Sequence, residues 1–339
     1  MAISVAELYF DGDLNLIKDR TFAIIGFGNQ GRAWATILRD SGVHVIVGNI
    51  RDAAFDAAIQ AGFETYSIEE ATKRADIIAV LLPDEIAPKV FYERIEPYAR
   101  DKSFYLLVFA SGYNVAYGFI EPPSNTDTIM VAPRMIGAGI LDLHKQGRGY
   151  PVLLGVARDA SGRAWEYAKA IAKGIGAIGR PGGVAVKSSF DEETLVDLLT
   201  EQTWSPLLIA AFMAYFEVVT EEFGVSPEAA ILELYASGEL AEVAKHMSEL
   251  GLFEQLKLHS RTSQYGHLTR LQRYLTEDLR EKIRLAAREI LSGEFAKEFT
   301  LEQMLGYPVL KKVHRHLLES KLAKVEKELY SKLGRSKEG

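Results

Sequence analysis

The sequence predicts an α/β Rossmann-type, doubly wound domain followed by an all-α helical domain. Short apolar segments alternate with helical segments through the first half, as in a chain of βαβ units. From Asp191 onwards, apolar residues instead recur at the three- and four-residue spacings of helices. A glycine-rich turn, Gly26–Gly31, directly follows the first long apolar segment. We therefore expect two domains, over residues 1–183 and 184–339.

Six apolar segments of the first half are predicted to be strands of a parallel sheet. Several are apolar throughout, which is expected of strands that are buried on both faces. Helical segments such as Gly31–Ser41 and Asp52–Ala61 lie between them and predict right-handed crossovers. The six strands are Phe22–Phe27, Val43–Asn49, Asp76–Pro83, Phe104–Ala110, Thr128–Pro133 and Pro151–Ala157.

Charge and composition exclude several classes of protein. The 39 basic and 46 acidic residues give a net charge of −7, so we expect no nucleic-acid partner. The chain has no cysteine, which excludes disulfides and thiolate metal sites and is typical of a reducing cytoplasm. The first residues carry acids instead of a basic segment followed by an apolar one, and no uninterrupted apolar run reaches about 18 residues. We therefore expect a soluble cytoplasmic protein without a signal peptide or membrane span.

The glycine-rich turn has the spacing G-x-G-x-x-G between an apolar strand and a helix. Its glycines would allow a tight turn, a close approach of the pyrophosphate to the backbone and close packing of helix on strand. The helix N-terminus would then hold the phosphates. The residues expected to bind a dinucleotide here are Gly26, Phe27, Gly28, Asn29, Gln30 and Gly31.

The end of the second strand is where the adenine ribose of a dinucleotide is expected. Asn49 ends that strand about 20 residues after the turn, and Arg51 and Asp52 follow it. An acid there would accept a hydrogen bond from the 2′-hydroxyl of NADH, whereas a cation would suit the 2′-phosphate of NADPH. The sequence supplies one of each and leaves the two cofactors open.

Asp197 and Glu201 are a candidate metal site. Because they are four residues apart, they share one face of a predicted helix. Carboxylate oxygens are the ligands that Mg²⁺ prefers. Such a pair on its own more often belongs to the solvated face of an ordinary helix.

The order of seven segments resembles that of the ketol-acid reductoisomerases, also called acetohydroxyacid isomeroreductases. The spacing from Asp197 through Glu201 to Glu233 makes the resemblance specific, whereas the segment from His267 onwards does not share it. The seven segments are YFDGDLNLIKDRTFAIIGFGNQG (Tyr9–Gly31), LLPDE (Leu81–Glu85), FASGYN (Phe109–Asn114), VAPR (Val131–Arg134), FDEETLVDLLTEQ (Phe190–Gln202), SPEAAILE (Ser226–Glu233) and SRTSQYG (Ser260–Gly266).

The resemblance implies Mg²⁺-dependent alkyl migration in a 2-aceto-2-hydroxy acid, then hydride reduction by NADPH, within branched-chain amino-acid biosynthesis. Asp197 would be shared by two Mg²⁺ ions, Glu201 would bind one of them, and Glu233 of the partner subunit would bind the other. Ser260 would hold the substrate carboxylate, and Arg134 would be catalytic. The helical domains of two chains would interlock in a homodimer or larger homo-oligomer. Further cofactor-binding residues would be Leu82, Pro83 and Ser111.

Several residues depart from the family pattern, among them Met135 and Ile136, which stand where the family has glycine and proline. Ser111 occupies the position of a histidine, Arg134 that of a lysine and Ser237 that of a second glutamate. Glu239 cannot easily replace that glutamate, because two further residues turn a helix by about 200°. Two alternatives to the full reaction therefore stay open: a reductase that acts on a small 2-oxo or imino acid with one metal or none, and a non-catalytic dinucleotide-binding protein.

Overall fold

The computed structural model describes residues 5–335. The chain divides into two compact units, Met1–Val196 and Asp197–Gly339. Residues Met1 to Ser4 and Ser336 to Gly339 lie outside the described residues. Met1 to Ser4 begin the N-terminal segment that we expect not to be a signal peptide. Each unit is described by itself below.

The first unit is built on one nine-stranded sheet with the order β1-β9-β8-β7-β6-β5-β2-β3-β4. The reversal of strand order beside β2 is the switch point at which doubly wound sheets bind ligands. The strands are β1 (Leu8–Tyr9), β2 (Thr21–Ile25), β3 (His44–Gly48), β4 (Glu64–Tyr66), β5 (Ile77–Val80), β6 (Tyr105–Phe109), β7 (Thr126–Pro133), β8 (Pro151–Arg158) and β9 (Val184–Lys187).

All six predicted strands form, and three short ones were not predicted. β1, β4 and β9 contain only two to four residues, too few to give a sequence signal. β7 and β8 run antiparallel, so the prediction of a parallel sheet is wrong for that pair. β9 pairs with β8 and continues the sheet into the region beyond residue 183.

Helices cover both faces of the sheet, as the apolar strands require. Along β2, Phe22 and Ile24 pack in one buried cluster, whereas Ala23 and Ile25 pack in a second, because successive side chains point to opposite faces. The helices are α1 (Asn15–Lys18), α2 (Asn29–Asp40), α3 (Ala53–Gln60), α4 (Ile68–Arg74), α5 (Ala87–Val90), α6 (Glu96–Ala99), α7 (Tyr113–Ala116), α8 (Gly137–Lys145) and α9 (Ala164–Gly174). A π-helical turn, Phe91–Ile95, joins α5 to α6.

The second unit is helical. It contains the end of α10 (Phe190–Gln202), a helix that begins in the first unit. Its small apolar cluster includes Phe216, Ile231 and Leu329. Its other helices are α11 (Trp204–Glu221), α12 (Pro227–Ile231), α13 (Glu239–Leu250), α14 (Arg261–Arg270), α15 (Glu277–Leu291), α16 (Glu294–Met304), α17 (Pro308–Leu318) and α18 (Lys321–Lys332), with a π-helical turn at Leu232–Ala236 and short 3₁₀ turns at Glu254–Leu258 and Leu271–Arg273.

One helical stretch among the described residues, Phe190–Glu221, is long and apolar enough to cross a membrane by length and composition. It has 32 residues, and its most apolar window of 18 residues has a mean hydropathy of 1.3 and is only 6% buried. A single stretch of this kind is weak evidence for a membrane protein. We expected no membrane span because no uninterrupted apolar run in the sequence is long enough. Acidic residues such as Asp197 and Glu201 interrupt the stretch Phe190–Glu221.

Candidate active site

The glycine-rich turn has the geometry that a dinucleotide requires. Gly26 has a φ of +98°, a conformation that L side chains rarely adopt. A Cβ at Gly31 would lie 1.9 Å from the carbonyl oxygen of Gly26, so only glycine lets α2 pack this closely. No atom lies within 4 Å of a Cβ built at Gly28, which leaves the backbone open to a ligand. Phe27 is buried, and the exposed side of the turn belongs to Gly28 and Asn29.

A cavity of about 350 Å³ begins at this turn and extends past the carboxyl ends of β5 and β6. Two polar residues of its lining are not among the predicted cofactor-binding residues: Asp84, and Asn114, whose amide nitrogen donates to Asp84 Oδ1 at 3.3 Å. Asn114 is buried, and its Oδ1 has no hydrogen-bond partner among the described residues. An elongated cavity at the switch point suits the pyrophosphate and nicotinamide half of a dinucleotide. The predicted residues that line it are Gly28, Asn29, Gln30, Leu82, Pro83 and Ser111.

A second cavity, of about 440 Å³, lies where the adenine ribose was expected. Asn49 and Arg51 line it, together with Ser67 of the β4–α4 connection, which was not predicted. Asp52 has a structural role, because its Oδ1 accepts hydrogen bonds from the backbone N–H groups of Ala54 and Phe55 and so caps α3. The same oxygen also accepts from the Asn49 side chain at 2.8 Å.

Two arginines line this second cavity, and they differ in whether an acidic side chain neutralises their charge. Arg94 forms a two-point ion pair with Glu69, and this pair lowers the pKa of the Glu69 carboxyl from 4.5 to about 2. Arg51 lies over the ring of Phe55, with its guanidinium carbon 5.6 Å from the ring centroid. Among the described residues Arg51 forms no ion pair with an acid, so its charge can serve an anionic ligand.

Helix α10 carries an acidic residue that was not predicted as functional. Glu193 is 1% exposed, and its Oε1 accepts a hydrogen bond from Nη2 of Arg134 at 2.6 Å. Its Oε2 accepts from the backbone N–H of Gly112 at 2.7 Å. A Cβ at Gly112 would lie 2.3 Å from the carbonyl oxygen of Phe190, so the loop after β6 also packs tightly on the start of α10. Glu193 thus links helix α10 both to Arg134, which was predicted to be catalytic, and to the loop that contains Ser111.

Asp197 and Glu201 follow Glu193 at steps of four residues along α10. Four residues advance a helix by about 6 Å and return nearly to the same face. Removal of the Glu201 carboxyl from water, together with the nearby Asp197 carboxylate, raises the pKa of Glu201 above its ordinary value of 4.5. Two carboxylates on one face of a helix supply oxygen ligands of the kind that a divalent cation such as Mg²⁺ takes. The four-residue step from Glu193 to Asp197 was a signal in the sequence that could have revealed Glu193.

Glu233 lies in the π-helical turn, which ends before Ser237. π-helical turns occur frequently at functional sites. The helix does not continue to Glu239, because Gly238 has a φ of +92° and α13 begins afterwards. The expectation that Glu239 lies about 200° around a continuing helix is therefore wrong.

The described residues of one chain place no group of three or more His, Asp or Glu residues where it could hold a metal ion. Asp197 and Glu201 supply oxygen ligands of the kind that Mg²⁺ takes, but only two of them. Ser260 is exposed, and its Oγ accepts from the backbone N–H of Ser263 at 3.2 Å, which caps α14. Its hydroxyl proton remains able to donate to a ligand.

Comparisons with known proteins identify the family. The model described as acetohydroxy acid isomeroreductase, NADPH-binding domain, matches residues 16–182, and that described as ketol-acid reductoisomerase, C-terminal domain, matches residues 190–334. The second match includes the segment from His267 onwards, so the expectation that this segment departs from the family is wrong.

Relatives of known name cover almost the whole chain. A Saccharolobus solfataricus protein, named provisionally as ketol-acid reductoisomerase 3, is 55% identical over 96% of this chain and 97% of its own. A Methanocaldococcus jannaschii ketol-acid reductoisomerase (NADP⁺) is 38% identical over 98% and 100%. The solved structure of an NADH-preferring ketol-acid reductoisomerase from an uncultured archaeon superposes with a TM-score of 0.87, at 30% identity, over 96% of this chain and 98% of that one. The chain belongs to the ketol-acid reductoisomerase family.

Proposed function

We propose that this chain catalyses both steps of the family reaction, the alkyl migration in a 2-aceto-2-hydroxy acid and the reduction of the product by a nicotinamide cofactor. The observation that carries the proposal is helix α10. It presents Glu193, Asp197 and Glu201 at four-residue steps, and the first of them anchors Arg134 and Gly112. A non-catalytic nucleotide-binding protein would have no need for a buried ion pair at this point.

The residues of this chain have separable roles in the proposed reaction. Arg134 places a fixed positive charge beside the substrate, and Ser260 donates its hydroxyl proton to the substrate carboxylate. Asp197 and Glu201 would hold Mg²⁺ through their carboxylate oxygens. When bound, Mg²⁺ supplies Lewis acidity for the substrate oxygens, and the nicotinamide supplies the hydride.

A reductase without the migration step is the second candidate. Ser111 cannot transfer a proton near neutral pH as a histidine can, and its Oγ already accepts from the backbone N–H of Tyr113 at 3.3 Å. Ser237 likewise lacks the charge of a carboxylate. Hydride transfer alone needs only a polarised carbonyl beside the nicotinamide, which Arg134 and the carboxylates of α10 can support.

Steady-state oxidation of NADPH and NADH separates the candidates. The substrates are 2-acetolactate, which needs both steps, and 3-hydroxy-3-methyl-2-oxobutanoate, which needs only reduction, each with and without Mg²⁺. Mg²⁺-dependent turnover of both compounds supports the proposal. Turnover of the second alone would assign the reductase, and turnover of neither would reject the substrates of the family for this chain.

We propose NADPH as the preferred cofactor, because Arg51 offers an unneutralised charge in the adenine-side cavity whereas Asp52 is engaged in capping α3. Arg51→Gln is expected to raise the KM for NADPH about tenfold, the worth of one charge-assisted hydrogen bond, and to leave the KM for NADH unchanged. Arg39→Gln is the control, since Arg39 also lies over a phenylalanine ring, that of Phe63, but belongs to the last turn of α2, at the opposite end from the glycine-rich turn. Equal changes for both cofactors would contradict the assignment.

We propose that the working form is a homodimer or larger homo-oligomer in the cytoplasm. Helix α11 leaves large apolar side chains exposed, among them Trp204 at 57% and Ile209 at 56%, and a second copy of the chain would bury them. Such an assembly would bring Glu233 of one chain to the carboxylates of another.

Ile209→Glu is expected to disrupt this assembly, because it places a charge where a second copy would pack. Light scattering should show at least twice the chain mass of 37.6 kDa for the unchanged protein and a shift towards the single-chain mass for the variant. Glu217→Gln, on the same helix, is the control. An unchanged protein of single-chain mass would contradict the proposal.

A further inference from the structure

The turn that carries Glu233 is held by residues other than Glu233 itself. Glu233 is exposed, and its carboxylate has no hydrogen-bond or ion-pair partner among residues 5–335. The turn is π-helical, because the backbone N–H of Ser237 donates to the carbonyl oxygen of Leu232, five residues earlier, at 3.2 Å. π-helical turns are rare. Contacts from outside the turn must therefore favour it over an ordinary α-helical turn.

Tyr235, two residues after Glu233, is fixed on two sides. Its hydroxyl donates to Oε2 of Glu326, on helix α18, at 2.7 Å. Its ring stacks on that of Phe212, on helix α11, with the centroids 5.5 Å apart and the planes inclined by 27°. A hydrogen bond to an ionised carboxylate is roughly twice as strong as one between neutral groups. The Tyr235–Glu326 bond therefore ties the turn of Glu233 to α18 at a defined point.

The end of the turn is held by the segment after α18. Nη1 of Arg335 donates to the carbonyl oxygen of Ala236, the last residue of the turn, at 2.5 Å. Carbonyl groups at the end of a helix lack a partner within it. Gly334, with a φ of +67°, reverses the chain, and the backbone N–H of Arg335 donates to the carbonyl oxygen of Tyr330 at 2.9 Å. This reversal brings Arg335 back to the turn.

The apolar packing of α18 does not depend on the Tyr235 hydroxyl. Leu329 of α18 belongs to one buried cluster with Ile231, which ends the helix before the turn, and with Phe216 of α11. The apolar cluster therefore holds the helices together, whereas the Tyr235–Glu326 bond fixes where the turn lies. Removal of the hydroxyl alone separates these two effects.

We propose that Tyr235 and Glu326 are positioning residues, whose hydrogen bond holds the Glu233 carboxylate where it can bind Mg²⁺ in another chain. The inference deepens the proposed function and rests on it, because it takes Glu233 as a metal ligand. Partners that orient a ligand raise the affinity of a metal site without touching the metal. Loss of the bond should thus weaken Mg²⁺ binding and leave the nucleotide site unaffected.

Tyr235→Phe tests the inference, since it removes one hydroxyl and keeps the ring that stacks on Phe212. The readouts are the Mg²⁺ concentration that half-saturates turnover of 2-acetolactate and the Kd for Mg²⁺ by calorimetry without substrate. Glu326→Ala should match Tyr235→Phe, whereas Glu326→Gln should restore much of the affinity, because its amide oxygen still accepts from the tyrosine hydroxyl. Glu328→Ala, at an exposed position of the same helix, is the control.

We expect Tyr235→Phe and Glu326→Ala each to raise both Mg²⁺ concentrations about tenfold, the lower end of what loss of an outer partner of a metal ligand costs. The double variant should resemble either single one, because both changes remove the same bond. The kcat at saturating Mg²⁺ and the KM for NADPH should stay unchanged, which a general loss of structure would not allow.

Glu233→Gln, which weakens the ligand itself, separates the two possible failures. A raised Mg²⁺ requirement in Glu233→Gln with an unchanged one in Tyr235→Phe would overturn the inference and leave the proposed function intact. An equal rise in Glu328→Ala would also overturn it, by showing a general effect of changes in α18. An unchanged requirement in Glu233→Gln, or no Mg²⁺ requirement in the unchanged protein, would overturn the inference together with the metal-binding part of the proposed function.

Discussion

Asp197→Asn is expected to lower kcat with 2-acetolactate by about a thousandfold and to leave nucleotide binding unchanged. The amide keeps the shape of the side chain but removes the charge that the proposed Mg²⁺ site needs most. Loss of a metal-bound charge costs several kcal/mol in the transition state, and each 1.36 kcal/mol is tenfold in rate. The measurements are steady-state kinetics and nucleotide titration on the same preparation.

Asp191→Asn is the matched control, because Asp191 is exposed in the first turn of the same helix. Thermal unfolding gives a second readout that does not depend on activity. Mg²⁺ should raise the Tm of the unchanged protein and of the control, and it should not raise that of Asp197→Asn. A kcat above one tenth of the original in Asp197→Asn would contradict a metal-binding role for Asp197.

Glu193→Gln is expected to lower both stability and activity. The substitution leaves the Arg134 guanidinium, which is 29% exposed, beside a neutral amide in place of a carboxylate. Breaking a buried ion pair on one side costs about 3 kcal/mol, so the free energy of unfolding should fall by roughly that amount. Because Arg134 also loses its orientation, we expect kcat/KM to fall about a hundredfold. Glu192→Gln, at the exposed neighbouring position, should change neither quantity.

A double-mutant cycle separates the positioning of Arg134 from a general loss of stability. Arg134→Met combined with Glu193→Gln removes both charges, so part of the lost stability should return. Activity should not return, because Arg134 itself is absent. Recovery of activity in the double variant would show that the reaction does not need Arg134 and would contradict its catalytic role.

The fold was largely predictable because its strands and helices have local signals. Strands β2, β3, β5 and β6 are buried on both faces and therefore read as continuous apolar segments. β1 and β4 lie at the two ends of the sheet and are too short to show a pattern. β8 runs antiparallel to β7 because the connection between them returns at the same end of the sheet, and no local pattern contains that information.

The site was only partly predictable, because two of its features depend on long-range contacts. Glu193 has the four-residue spacing to Asp197, but its partners Arg134 and Gly112 are 59 and 81 residues away along the chain. Asp52 was predicted as a cofactor-binding residue, and the structure adds that it caps α3, which depends on the backbone after β3. The sequence spacing from Glu233 to Ser237 and Glu239 could not be converted into angles around one helix axis, because a π-helical turn and Gly238 interrupt the helix.

The position of a ¹³C-labelled methyl group tests the central claim most directly. The label is placed on the C2 methyl group of 2-acetolactate, and the product formed with NADPH and Mg²⁺ is examined by NMR. The proposed isomeroreductase moves that group to C3 before reduction, so the labelled carbon should appear as one of two methyl groups on C3 of 2,3-dihydroxy-3-methylbutanoate. Label that stays on C2 in the reduced product would show hydride transfer without migration and would contradict the account.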